Sequence, residues 1–243
     1  MKIGLFECGY VPEDLQEDFI SYPDMLIQSF NDIDCTFEYT IYDVSKDHFP
    51  KDINECDAYI TTGSRHSVND GYSWIAKLEE IVRECQKQEK KLVGICFGHQ
   101  LLAKALGGKV EQSKAGWGIG LFESRLLQYE AWLIPSQAKF NMIVSHEDQV
   151  VKIPEGATLL ASNDHCENFM IKFGDNMLGI QGHPEFDKDF CRALMKVRID
   201  TIPDKRLEAG YESLSNNPDN SLVMQWITHF LGINIHNRNY SGE

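Results

Sequence analysis

The chain has 243 residues, a formal net charge of −14 and a hydrophobic fraction of 42%. This length is sufficient for one sizeable hydrophobic core, and the acidic balance argues against a surface that binds nucleic-acid phosphates. The seven cysteines include no Cys-x-x-Cys pair, so neither a disulfide framework nor a structural zinc site is supported. No apolar stretch reaches the roughly 20 residues that span a membrane, and Glu7 interrupts the N-terminal segment before a signal peptide could develop. We therefore expect a cytoplasmic protein with no metal, no cofactor, and no nucleic-acid or membrane partner.

Short apolar runs alternate with amphipathic stretches, a pattern typical of α/β layer folds. Strands are predicted at 2–6, 36–44 and 58–62. Apolar residues at three- and four-residue steps then predict a helix across 72–90. A further apolar run ends at Ile95, and a helix is predicted at 101–106. The first half of the chain therefore predicts a mostly parallel sheet covered by helices.

The second half begins with shorter strands and frequent turn residues, at 109–127 and 141–181. This pattern predicts a mixed or antiparallel extension of the sheet. Two helices are predicted to close the chain: one starts near Asp187, and the other is capped by Ser221 and ends at Gly232. A polar loop joins them, and the last residues are expected to fray. Because no repeat or linker divides the sequence, we expect a single domain over 1–243, with 187–243 completing the helical layer.

The turn around Cys96 carries the most chemical information. Glycines lie two residues before and two residues after this cysteine, between a strand and a helix. This is the thiol form of a nucleophile elbow, in which a β-carbon at either flanking position would collide with neighbouring backbone. The sulfur is expected at a helix N-terminus, which favours a thiolate. The Phe97 N–H is expected to be free to stabilise a developing oxyanion.

A cysteine nucleophile needs a base, and the base needs an orienting acceptor. His183 and Glu185 follow the strand predicted at 177–181, with Pro184 between them. They therefore lie at the carboxyl end of a strand, where α/β active sites gather. Cys96, His183 and Glu185 are our candidate catalytic residues.

Together these motifs, Gly-x-Cys-x-Gly-His-Gln at 94–100 and His-Pro-Glu at 183–185, resemble the class I glutamine amidotransferase family. The resemblance extends from the first strand to Glu185, and it implies a three-layer, flavodoxin-like fold. It also implies that Cys96 attacks the side-chain amide of glutamine, or of another γ-glutamyl amide, and forms a thioester. The segment at 63–68, with Asp70 and Trp74 beyond it, is similar to a stand-alone, GMP-synthase-like branch that includes plant γ-glutamyl peptidases. Residues 117–120 fit the same branch.

The resemblance implies roles for further residues. Gly63 matches the family position that supplies a second oxyanion N–H. The expected contacts to the γ-glutamyl group come from five residues: Ser64, Gln100, Ser145, His146 and Glu147.

The sequence is compatible with several functions. A glutaminase subunit would pass ammonia to a synthetase bound in trans, because only about 60 residues follow Glu185 and these are too few for an ATP-dependent domain. A stand-alone γ-glutamyl peptidase would need no protein partner. A binding or sensor module on the same fold is a third possibility. His99 is a candidate alternative base, and Arg65 and His66 are candidates for binding a substrate carboxylate.

Overall fold

The computed structural model describes residues 1–233. The strands are β1 (Lys2–Glu7), β2 (Glu38–Asp43), β3 (Ala58–Thr61), β4 (Lys91–Ile95), β5 (Lys109–Gln112), β6 (Gly118–Leu126), β7 (Lys139–His146), β8 (Asp148–Lys152), β9 (Ala157–Ser162), β10 (Met170–Phe173) and β11 (Met177–Ile180). The helices are α1 (Tyr22–Asn31), α2 (Ser73–Lys87), α3 (Phe97–Ala105), α4 (Lys188–Val197), α5 (Asp204–Ser213) and α6 (Asn220–Phe230).

Nine of the strands form one sheet in the order β2-β1-β3-β4-β11-β10-β9-β6-β7. The first five strands in this order are parallel, and the remaining four continue the sheet with antiparallel pairings. β5 and β8 form a separate antiparallel pair. The predicted α/β fold, with a mostly parallel sheet and an antiparallel extension, is therefore confirmed.

Helices cover both faces of the parallel half because strand side chains alternate between the two faces. Ile3 and Leu5 of β1 pack in one core with residues of α1 and α6, whereas Phe6 packs in a second core with residues of α2 and α3. A third cluster lies beneath α4 and α5 and includes Ile143 and Phe190. No helix among residues 1–233 is both long and apolar enough to cross a bilayer.

The structure also corrects several predicted elements. α1 and α5 were not predicted, so three helices rather than two follow Asp187. Ser221 lies inside α6, whose first flanking residue is Asp219, so the predicted Ser221 cap is wrong. α3 begins at Phe97, four residues earlier than predicted, directly after the cysteine. The fraying prediction for 237–243 lies outside the described residues, and the single-domain assignment stays a prediction.

Candidate active site

Three adjacent parallel strands end at the same edge of the sheet, and each leads into a candidate residue. β3 pairs with β4, and β4 pairs with β11. β3 leads to Gly63, β4 to Cys96 and β11 to His183. The topology thus brings together residues that are up to 120 positions apart in the sequence.

Cys96 occupies a strained turn. Its φ is +50° and its ψ is −97°, a conformation that non-glycine residues rarely adopt. The Cys96 N–H donates to the Ile180 carbonyl at 2.8 Å, which ties the turn to β11. Cys96 is also the residue that precedes the first turn of α3, so its side chain lies at a helix N-terminus.

Both flanking glycines are required by close packing. A Cβ at Gly94 would lie 2.7 Å from the backbone nitrogen of His99, within the turn itself. A Cβ at Gly98 would overlap the side chain of Thr61 on β3. The predicted backbone collision is therefore confirmed at Gly94, whereas the obstacle at Gly98 is a side chain of the neighbouring strand.

His183 is held by contacts on three sides. Its Nδ1 lies 2.8 Å from Glu185 Oε1, and its ring stacks on Phe186 with 3.9 Å between ring centroids and 4° between planes. The His183 backbone N–H donates to the Ile143 carbonyl at 2.8 Å. Because the Glu185 side chain is fully buried, water competes little for its hydrogen bond to the imidazole.

The electrostatic environment favours the imidazolium form of His183. Burial by itself lowers the pKa of this residue. The negative charge of Glu185, the proximity of Cys96 and hydrogen bonds to both residues oppose that effect and raise the pKa of His183 to about 10. The His183 imidazole therefore lies between a carboxylate and a sulfur, in surroundings that favour its protonated form.

Two backbone N–H groups near Cys96 were predicted to stabilise an oxyanion. Among residues 1–233, neither the Phe97 N–H nor the Gly63 N–H donates to a protein acceptor. A Cβ at Gly63 would lie 2.8 Å from His183 Cε1 and 3.8 Å from Cys96 Cβ, so the Gly63 backbone runs directly beside both groups. Backbone donors without a protein acceptor near a nucleophile are groups that can stabilise an oxyanion.

Two buried side-chain amides, those of Gln181 and Gln100, connect to the Cys96 sulfur. Gln181 was not predicted from the sequence. Gln181 is fully buried, and its Nε2 donates to Cys96 Sγ at 3.6 Å. Gln100 Nε2 donates to Gln181 Oε1 at 3.2 Å and to the Asp148 carbonyl at 2.7 Å. Gln181 directly precedes the Gly-His-Pro-Glu segment, and its position at the carboxyl end of a strand is the signal that could have identified it.

A cavity of about 270 Å³ opens over Cys96. It is lined by Ser64, Arg65, His66, Ser67, Asp70, Cys96, Phe97, Gln100, Trp117, Ser145, His146, Glu147, Asp148 and Arg198. All five residues expected to contact the γ-glutamyl group are in this set. His183 is not, because it lies beside the cavity in a narrow space bounded also by Tyr22 and Gly63.

The side chains of this cavity differ in how free they are to bind a ligand. The Ser145 hydroxyl already accepts from Arg198 Nη1 at 2.6 Å. His146 is buried, contacts Gln149 through Nε2 at 3.3 Å, and has its pKa lowered by burial and by His165. Glu147 is half-buried at the wall. His146 is therefore neutral and packed, and Glu147 offers a free carboxylate.

Residues 15–190 match the family model described as glutamine amidotransferase class-I. The chain belongs to the class I glutamine amidotransferase family. It is 30% identical to Gamma-glutamyl peptidase 3 of Arabidopsis thaliana, over 77% of this chain and 78% of that relative. It is 36% identical to a glutamine-hydrolyzing GMP synthase subunit of Methanothermobacter thermautotrophicus, over 43% of this chain and 56% of that relative.

The fold agrees with this family assignment. A crystal structure of a glutamine amidotransferase from Thermotoga maritima superimposes with a TM-score of 0.71, covering 94% of this chain and 98% of that one. At 18% identity this likeness concerns the fold alone. The family resemblance drawn from the sequence is confirmed.

His99, the alternative base considered from the sequence, does not line the cavity over Cys96. His99 is fully buried against Gly179, and burial lowers its pKa to about 4, so it is neutral at physiological pH. All seven cysteines are free and buried. Within residues 1–233 no group of three or more His, Cys, Asp or Glu side chains is placed to bind a metal ion.

Proposed function

We propose that the chain hydrolyses γ-glutamyl amide bonds, with Cys96 as nucleophile, His183 as general base and acid, and Glu185 as the group that orients His183. The observation that carries this proposal is the 2.8 Å contact between His183 and the buried Glu185, beside a cysteine in a strained elbow. The family membership supports the same chemistry.

In the first half of the reaction, the Cys96 thiolate attacks the side-chain amide carbon of the γ-glutamyl group. The carbonyl oxygen becomes an oxyanion, which receives hydrogen bonds from the Phe97 and Gly63 N–H groups. Each such bond lowers the barrier by about 3 kcal/mol. The carbon–nitrogen bond then breaks, the leaving nitrogen takes a proton from His183, and a thioester to Cys96 remains.

In the second half, the now neutral His183 removes a proton from water, and the resulting hydroxide attacks the thioester carbon. The same two N–H groups stabilise the second oxyanion. The carbon–sulfur bond breaks, which releases glutamate and restores the thiolate and the imidazolium. Glu185 remains ionised throughout and holds the ring in one orientation.

Binding of the γ-glutamyl group is assigned to the cavity over Cys96, which we call the γ-glutamyl cavity. Glu147 suits the α-amino group because its carboxylate is half-buried and has no ion-pair partner among residues 1–233. Gln100, Ser64, Ser145 and His146 are proposed to complete the binding surface. In this proposal the residues that line the cavity orient the substrate, and Cys96 and His183 carry out the chemistry.

A second candidate function uses the same chemistry but transfers the ammonia. Similarity to a GMP synthase subunit favours a glutaminase that works with a synthetase bound in trans. Similarity to a γ-glutamyl peptidase favours a stand-alone hydrolase. The two differ in the substrate: an ammonia donor prefers glutamine, and a peptidase prefers γ-glutamyl peptides.

The test is glutamate release from glutamine and from a panel of γ-glutamyl peptides. We expect turnover by the wild-type chain and loss of turnover in Cys96→Ala and in His183→Ala. Cys35→Ala is the matched control, because Cys35 is a buried thiol outside the site, and it should retain activity. Absence of turnover on every substrate would contradict the hydrolase and leave the binding module.

A further inference from the structure

A second cavity, of about 340 Å³, adjoins the γ-glutamyl cavity. We call it the amine-side cavity. It is lined by Cys8, Gly9, Tyr10, Val11, Pro12, Glu13, Asp14, Gln16, Tyr22, Ser45, Arg65, His66, Val197 and Arg198. Three of these residues, Arg65, His66 and Arg198, also line the γ-glutamyl cavity. The two cavities therefore meet at a boundary that carries two guanidinium groups.

His183 lies between the two cavities. It lines the narrow space that also contacts Tyr22, Ser64, Ser145 and Arg198. Ser64, Ser145 and Arg198 also line the γ-glutamyl cavity, and Tyr22 and Arg198 also line the amine-side cavity. The group that protonates the leaving nitrogen must lie on the leaving-group side. Because the cavity over Cys96 is assigned to the γ-glutamyl group, the amine-side cavity is the remaining space beside His183 for the departing amine.

The volume of this cavity is larger than a glutaminase needs for its leaving group, which is ammonia. Ammonia is about the size of water, which occupies about 30 Å³ in the liquid. A space of about 340 Å³ instead falls within the range of small-molecule binding sites. The leaving group that fits this space is therefore a substituted amine, larger than ammonia.

Arg198 is the charged group that lies where it can recognise the leaving amine. It follows the last residue of α4 and is half-buried. Its Nη1 donates to Ser145, and its guanidinium lies 5.5 Å from the ring centroid of Trp117. No ion pair within residues 1–233 includes Arg198. Burial lowers its pKa, yet a guanidinium keeps its charge at any physiological pH.

A half-buried cation with no carboxylate partner among residues 1–233 is costly, and a ligand that carries an anion would offset that cost. The planar fork of a guanidinium matches a carboxylate in particular. The acidic side chains of the amine-side cavity, Glu13 and Asp14, are exposed and do not line the γ-glutamyl cavity. The positive charge of the amine-side cavity thus lies at its boundary with the γ-glutamyl cavity, next to the scissile bond.

We propose that the amine-side cavity binds the leaving amino acid or peptide of a γ-glutamyl peptide, and that Arg198 binds its carboxylate. This inference rests on the proposed hydrolase, and within it favours the peptidase over the ammonia donor. It assigns Arg198 to substrate selection rather than to the proton transfers, which remain with His183.

Arg198 also has contacts that a purely structural role would explain. A cation at the C-terminus of α4 is favourable, and the contacts to Ser145 and Trp117 add stability. A structural role predicts that replacing Arg198 impairs every substrate equally. A carboxylate-binding role predicts a loss that depends on whether the substrate carries the carboxylate.

The experiment compares γ-glutamylalanine, γ-glutamylalaninamide and glutamine on wild type, Arg198→Gln and Arg198→Lys. The first two substrates differ only in the carboxylate of the leaving group. Lys196→Gln is the matched control, because Lys196 is an exposed cation on α4 near Arg198 in the chain. Thermal unfolding of each variant reports whether the fold is intact.

We expect Arg198→Gln to lower kcat/KM for γ-glutamylalanine about 10- to 100-fold more than for γ-glutamylalaninamide and glutamine, the range for a lost hydrogen bond to a charged group. A smaller loss common to all three substrates would reflect the place of Arg198 in the γ-glutamyl cavity and its hydrogen bond to Ser145. Arg198→Lys should recover part of the carboxylate-dependent loss. An equal loss on all three substrates, or no loss on any, would overturn the inference while leaving the hydrolase intact. Failure of the wild type on all three would instead overturn the hydrolase itself.

Discussion

Gly63→Ala tests whether His183 must be held where the structure places it. A Cβ at position 63 would lie 2.8 Å from His183 Cε1, whereas ordinary contacts begin at 3.4 Å. The ring must therefore move by about 0.6 Å, or the loop after β3 must move away from it. Gly63 has no positive φ, so alanine adds this contact without backbone strain.

The expected result is a large loss of activity with little loss of stability. A displacement of about 1 Å at a reacting group lowers rates about 100-fold, so about 0.6 Å should lower kcat about 10- to 50-fold. A shift of the loop would produce a similar loss, because it displaces the Gly63 N–H from the oxyanion. KM for the γ-glutamyl substrate should change little.

The assay is steady-state hydrolysis with thermal unfolding as a parallel measurement. Gly156→Ala is the control, because a Cβ there meets nothing within 4 Å, although its φ of +77° strains an alanine. The control should lose about 1 kcal/mol of stability and keep its activity. A Gly63→Ala protein with kcat within twofold of wild type would refute the reasoning.

Three further outcomes are expected. The proximity of Cys96 helps to raise the pKa of His183 to about 10, so NMR titration should show the imidazolium persisting to about that pH in the wild type and losing its proton at lower pH in Cys96→Ala. An unchanged midpoint would contradict the pairing of the two residues. Gln181→Leu removes the 3.6 Å donor to Cys96 Sγ, and kcat/KM should fall about 10-fold or more; unaltered kinetics would show that this donor is dispensable. The added methyl group in Gly98→Ala would overlap Thr61, so urea titrations should show a free energy of unfolding about 1–3 kcal/mol lower than that of the wild type. Adding Thr61→Ala should recover part of this loss, and stability equal to the wild type would show that the turn around Cys96 is less tightly packed than the structure indicates.

Much of the parallel half of the fold could be predicted because its signals are local. The apolar runs of β1, β3 and β4, and the glycines around Cys96, each specify a short piece of backbone without reference to the rest of the chain. The edge shared by these strands then follows from topology, since parallel neighbours end on the same side. That is why the cysteine and His183 could be paired across 87 positions of sequence.

The missed elements lack such local signals or depend on tertiary contacts. α5 buries only Leu207 and Gly210, so its apolar stripe is too weak to identify. α1 does carry a recognisable start, with Ser21 accepting from the Asp24 N–H, and a search for caps would have found it. Arg198 belongs to no motif, because its importance arises from two cavities that only the folded chain brings together.

The most direct test of the proposed mechanism is detection of the acyl-enzyme. The wild-type chain would be mixed with a γ-glutamyl substrate, quenched in acid during turnover, and analysed by peptide mass spectrometry. We predict a γ-glutamyl group on the peptide that contains Cys96, and its absence in Cys96→Ala. Hydrolysis that continues at the wild-type rate in Cys96→Ala, or turnover with the acyl group on another residue, would contradict the thioester mechanism.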